Sequence, residues 1–200
     1  MSELIFEPRR TAVVVIDLQK GIVAAPVTPH SASTVAAKCA ELLAAARAVG
    51  AQPVLVHVDR SPDGGDALKV TADDPMRSPA PPPDWSELIP ELNRQPGDIV
   101  ILKRQWGAFY GTELDLQLRR RGLNTIILCG ISTEIGVEST ARDAYERGYE
   151  QVFAADAMTA RNADCHANTI TRIFPRMGRV RSTAEIVAAL GAGNVGSRTR

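Results

Sequence analysis

The stretch GISTEIGVESTARDAYERGY, Gly130–Tyr149, decides the fold. It follows an apolar run, TIILC, and passes through small residues and hydroxyls into a segment that reads as a helix from Thr133 to Gly148. A buried strand that turns into a helix N-terminus is a β-to-α corner, the place where a chain usually presents a nucleophile or an anion site. Position 136, in the first turn, holds glycine rather than Cys, Ser or Thr. A helix interior is about 1 kcal/mol less stable with Gly than with Ala, so a demand for space or close backbone approach is expected there.

Working outward, the runs TAVVVIDL, QPVLVHV, DIVILK and QVFAAD resemble TIILCG in being short, rich in Val and Ile, and nearly continuous. Strands buried on both faces read this way. Between them lie helix-like segments, SASTVAAKCAELLAAARAVG, SELIPELN, GTELDLQLRRRG and NADCHANTITRIFPRMG, and RVRSTAEIVAAL adds a last strand and short helix. Helices on both faces of a parallel sheet predict a three-layer α/β/α sandwich, Rossmann-like, with a mostly parallel six-stranded sheet. Gly50, Gly122, Gly148 and Gly178 each stand just past a helical pattern, where a left-handed cap favours glycine. SPAPPPDW, Ser78–Trp85, cannot be central strand or mid-helix and is expected as a surface loop and pocket rim. Residues 1–190 are expected to form one domain and 191–200 a disordered tail.

The 200 residues carry 23 basic and 23 acidic side chains, a formal net charge of +0, so no bulk attraction to nucleic acid or membrane is expected. No apolar run approaches a membrane span and MSELIFEPRR lacks a signal-peptide plan, which makes a cytoplasmic location the expectation. Cys39, Cys129 and Cys165 are an odd number without CxxC spacing, expected to be reduced and mostly buried.

Ligands of open parallel sheets bind outside the carboxyl ends of the strands. Asp17 ends the first run, Lys103 the third, and Gly130–Gly136 follows the fourth. Each has a plain structural reading: Asp17 as a turn or helix cap, Lys103 as a solvated strand end, Ser132 or Thr133 as an N-cap. Asp17 and Gln19 share a face if extended geometry persists that far.

Taken together, TAVVVIDLQ, VHVDR, ILKRQWGAF, GISTEIGVESTARDAYERGY and VFAADAMTA resemble the isochorismatase-like superfamily, which also contains cysteine hydrolases such as nicotinamidases and carbamoyl hydrolases. The resemblance spans nearly the whole chain. It implies an isochorismatase-type fold with a catalytic site built from Asp17, Lys103 and position 136. In the cysteine members position 136 is the nucleophile, Asp17 takes its proton, Lys103 stabilises charge, and the backbone around Ile131, Ser132 and position 136 binds the oxyanion. A cis peptide at Ile131–Ser132 is also implied. With Gly136 the chain is instead similar to true isochorismatases, which hydrolyse a vinyl ether with an aspartic acid as proton donor and no nucleophilic side chain.

The pocket implied by the resemblance includes Gln19, Arg104, Gln105, Trp106, Phe109 and Tyr110. Isochorismatases resemble one another in a Lys-Trp-Arg-Tyr-Ser-Ala-Phe run, whereas this chain reads KRQWGAF from Lys103 to Phe109. The arginine has moved next to the lysine and Gln105 takes its place, so the substrate is not carried over with the fold. Nicotinamidase-type members carry an Asp-x-His metal motif where this chain has His57 and Asp59; no further histidine follows nearby, and no metal or other cofactor is expected. Arg119, Arg120 and Arg121 read as a solvated helix end. The expected activity is hydrolysis of a small molecule with Asp17 as general acid. Alternatives are an amide or carbamoyl hydrolase with Asp17-activated water, or a pseudoenzyme that binds without turnover. The resemblance further implies a homo-oligomer, a dimer or tetramer.

Overall fold

The computed structural model describes residues 4–74 and 81–193. Six strands, β1 (Thr11–Ile16), β2 (Gln52–Val58), β3 (Ile99–Lys103), β4 (Thr125–Ile131), β5 (Glu150–Thr159) and β6 (Arg179–Arg181), form one sheet in the order β3-β2-β1-β4-β5-β6. Every pairing is parallel. All six residues of β1 are buried, as a central strand covered on both faces must be.

Successive β1 residues feed opposite cores. Val13 and Val15 join Leu55, Ile127 and the apolar face of α2 (Ala32–Val49), with Ile186 and Leu190 of α6 (Thr183–Gly193) behind them. Ala12, Val14 and Ile16 join Leu114 and Leu118 of α3 (Leu114–Arg120), Ala141 and Ala144 of α4 (Glu138–Glu146), and the stacked rings of Phe153 and Phe174, 3.9 Å between centroids. Two short helices, α1 (Lys20–Val23) and α5 (Ala163–Asn168), complete the set. The expected three-layer α/β/α architecture is therefore observed. Among the described residues no helix is long and apolar enough to cross a membrane.

Four expectations need correction or limit. Gly50, Gly122 and Gly148 are left-handed, with φ of 79°, 68° and 76°, but Gly178 is not. A Cβ there would stand 2.4 Å from the Gln151 carbonyl oxygen, so that glycine serves close approach to β5. SELIPELN is helical only over Pro90–Leu92, because the proline ring holds Ile89 extended, at φ −69° and ψ 144°. The residues before it instead pair with the chain after β1: Leu88 bridges Gln19, and the Ile89 N–H donates to the Leu18 carbonyl. α6 runs to Gly193, three residues into the expected tail; 194–200, like Ser78–Ala80 of the proline-rich loop, lie outside the described residues.

The sheet order reverses direction between β1 and β4, which places a topological switch point there. Gly130 makes the two strand ends meet. Its φ is 116°, and a Cβ would stand 2.1 Å from the Ile16 carbonyl oxygen.

Candidate active site

Asp17 leaves β1 in a left-handed conformation, φ 54°, with its N–H bonded to the Val56 carbonyl at 2.9 Å. Aspartate tolerates that region better than most residues. The turn drives its carboxylate into a buried position, 5% exposed. Lys103, the last residue of β3 and 3% exposed, reaches past β2 to place Nζ 2.7 Å from Asp17 Oδ2. The ammonium also donates to the carbonyls of Gln105 at 3.1 Å and Trp106 at 2.9 Å, which engages all three of its hydrogens. The other Asp17 oxygen, Oδ1, is buried and accepts no hydrogen bond among the described residues.

Burial pushes the Asp17 carboxyl up to about 6, against the opposing charge and hydrogen bond of Lys103. Desolvation wins because the carboxylate has exchanged water for a single charged partner and leaves one oxygen unbonded. The pair is thus a hydrogen-bonded acid and ammonium at the switch point, and its acid is neutral or charged according to pH near physiological values.

Thr133–Val137 forms a widened first turn before α4, closed by a 3.1 Å bond from the Val137 N–H to the Ser132 carbonyl five residues back. The peptide before it, Ile131–Ser132, is cis. Neither hydroxyl caps the helix, contrary to the N-cap reading. Thr133 Oγ1 instead donates to the Thr159 carbonyl at 3.1 Å and lies 2.8 Å from His166 Nδ1, which ties the turn to β5 and α5. Gly136 faces the pair: a Cβ built there would stand 3.2 Å from Asp17 Oδ2, 3.0 Å from Ile16 Cγ2 and 3.5 Å from the Trp106 carbonyl oxygen.

Asp17, Lys103, Arg104, Gln105, Trp106, Ile131, Ser132 and Gly136 line one cavity of about 250 Å³. Three other residues expected at the pocket lie elsewhere. Gln19 is fully buried and points away, because the left-handed turn at Asp17 breaks the extended geometry that would have aligned them. Its amide accepts from the Val58 N–H at 2.8 Å and donates to the carbonyls of Val58 at 3.0 Å and Trp85 at 3.2 Å. Phe109 is packed in the core against Tyr149, with ring centroids 5.6 Å apart. Tyr110 is 76% exposed and outside the lining.

Arg104 reaches the cavity but is anchored by Asp66, 2.5 Å from its Nε, and by the Asp59 carbonyl at 3.1 Å. His57 Nδ1 lies 2.9 Å from the Ser86 carbonyl, so the ring is hydrogen-bonded to backbone. Cys39 and Cys129 are buried and Cys165 is exposed, and among the described residues no cysteine lines the cavity.

The lining also contains residues that sequence reasoning passed over: Ile22, Ala25, Val27, Leu68, Ile135 and Arg161. Arg161 was within reach of the strand-end rule, but QVFAAD stops at Asp156 and β5 continues to Thr159. An irregularity in the β4–β5 register between Leu128 and Gly130 accompanies the extra length, and periodicity does not announce it. Trp85, the last residue of the proline-rich stretch, does reach the rim.

Known proteins share this sequence pattern and this fold. The isochorismatase domain family matches residues 11–185. YecD of Escherichia coli O157:H7, an uncharacterized isochorismatase family protein, is 50% identical over 182 residues, 91% of this chain and 97% of that one. The structure of an isochorismatase family protein from Burkholderia thailandensis superposes with a TM-score of 0.90 at 48% identity, covering 95% of this chain and all (100%) of the other. N-carbamoylsarcosine amidase from Thermoplasma acidophilum is more distant, with a TM-score of 0.70 at 27% identity over 87% of this chain and 96% of its own.

Proposed function

The chain belongs to the isochorismatase family of hydrolases, and from that premise we propose that it hydrolyses a small molecule without a cysteine nucleophile, using Asp17 as general acid. The observation that carries this reading is the buried Asp17 carboxyl, raised to about 6 and left with one unbonded oxygen, beside Gly136, which has no side chain to attack with. A vinyl ether suits such a site. Protonated Asp17 delivers its proton to the enol carbon, an oxocarbenium ion forms, and water adds to it before the carbon–oxygen bond of the resulting hemiketal breaks. Lys103 holds the carboxylate left behind. Gly136 is the family's nucleophile position in this reading, and the backbone of Ile131, Ser132 and Gly136 borders the reacting group.

The likeness to N-carbamoylsarcosine amidase favours a second reading, in which ionised Asp17 activates water against an amide or carbamoyl carbon. The two use opposite protonation states of one residue. With the carboxyl at about 6, acid catalysis makes kcat/KM fall as pH rises through that value, and base catalysis makes it rise. Pyruvate release from isochorismate and ammonia release from an amide panel, each followed from pH 5 to 8 with Asp17→Asn as control, test the assignment. Turnover that survives Asp17→Asn sinks both. The family likeness also supports a homo-oligomer, which sedimentation of the purified protein would check.

A further inference from the structure

Gly21 sits inside α1 at a helical position that any residue accommodates, so its backbone does not explain why it is glycine. Its neighbour does. A Cβ at Gly21 would stand 1.8 Å from Trp85 Cδ1, 2.1 Å from Nε1 and 2.3 Å from Cγ, so the five-membered ring of the indole rests on the glycine itself. Trp85 lines the cavity and Gly21 does not.

The backbone carrying Trp85 is fastened at several points. The Gly21 N–H donates to the Trp85 carbonyl and the Lys20 N–H to that of Glu87, both at 2.9 Å. Gln19 Nε2 donates to the Trp85 carbonyl at 3.2 Å, His57 Nδ1 lies 2.9 Å from the Ser86 carbonyl, and Lys20 Nζ donates to Asp84 at 3.0 Å and Glu87 at 2.7 Å. A broad ring that lines the cavity, is backed by main chain and is held by a fixed segment is a rigid wall, and an aromatic wall favours flat, unsaturated groups over puckered ones.

We propose that Trp85, seated on Gly21 and held by Gln19, is the specificity-determining wall of the cavity and selects substrates that lay a flat unsaturated face against its indole. The inference rests on the hydrolytic reading only in taking the occupant to be the substrate. Enol ethers and amides both meet the requirement, so the wall constrains shape rather than choosing between the two chemistries. Gln19 acts as a positioning residue, not a catalytic one.

The test is a double-mutant cycle read by calorimetry, with benzoate as the flat probe and cyclohexanecarboxylate as the puckered control bearing the same charge. The wild-type protein is expected to bind benzoate about tenfold more tightly than the control. Gly21→Ala, which puts a methyl group where the ring now lies, and Trp85→Ala should each erase that preference. The double variant should be no worse than Trp85→Ala, because the methyl group then has nothing to displace. Trp85→Phe should keep most of the preference, which a purely structural role would not predict. Equal binding of the two probes by wild type, an unchanged preference in Gly21→Ala, or additive losses would overturn the proposal. Binding needs no proton transfer, so Asp17→Asn should retain the preference even if the hydrolytic reading fails.

Discussion

Gly136 lines the cavity and Gly21 lies behind the tryptophan that does, and the two are glycine for different reasons. At Gly21 a Cβ would overlap an indole ring at 1.8 Å; at Gly136 it would meet a methyl group at 3.0 Å and a carboxylate oxygen at 3.2 Å. The first contact is impossible without moving the ring. The second needs shifts of a few tenths of an ångström. Packing therefore demands glycine on the tryptophan side, whereas on the carboxylate side it merely prefers it, and the open volume beside Asp17 is better explained by chemistry.

The comparison can be broken most decisively at the carboxylate. Asp17→Asn should lower kcat by about 10³-fold, since general acid–base catalysis contributes about 10²–10⁴-fold and the proposed mechanism depends on this one carboxyl. Stability should change its pH dependence as well. The folded-state carboxyl titrates near 6 and the unfolded one near 3.8, so the folded state holds the proton longer. The contribution of this one group to stability is then greatest below about pH 4, falls as pH rises to about 6, and is flat above. That difference corresponds to about 3 kcal/mol, and denaturant melts at pH 4 to 7 should show a slope in wild type that Asp17→Asn lacks.

Lys103→Met comes next. It removes the charge and hydrogen bond that hold the carboxyl down, so the high-pH limb of the pH–rate profile, where the general acid loses its proton, should move to higher pH. A limb that stays in place would mean that another group sets it. Gly136→Ala is a smaller perturbation: a loss of about 1 kcal/mol or less in denaturant melts, because helix propensity offsets the tight contact, with a larger drop in turnover. Were Gly136→Ala to destabilise the fold severely, the distinction between the two glycines would disappear. The smallest effect is expected from the sulfurs. Cys165→Ala should change neither melting nor turnover, and Cys39→Ala and Cys129→Ala should leave kcat intact while lowering stability through their buried positions.

Much of the carboxylate side was legible in the sequence because it obeys a topological rule. A parallel sheet puts its strand ends together, and Asp17, Lys103 and Gly136 each adjoin the end of a Val- and Ile-rich run. The tryptophan side follows no such rule. It depends on the left-handed turn at Asp17, which no local pattern signals, and on an antiparallel bridge between Gln19 and Leu88, residues far apart in the chain. Gln19 was therefore assigned to the pocket when its amide instead joins Val58 to Trp85. Phe109 and Tyr110 failed differently: the chain turns back after Trp106, so neighbours in sequence end in the core and in solvent.

The tripod of bonds from Lys103 has an evolutionary corollary. Two of its feet stand on the carbonyl oxygens of Gln105 and Trp106, atoms that every amino acid supplies. Those letters can change without loosening the ammonium, which accounts for how KRQWGAF diverges from the Lys-Trp-Arg-Tyr-Ser-Ala-Phe pattern and still positions its charge. Side chains at the entrance can therefore change while the buried contact between Lys103 and Asp17 beneath them is kept.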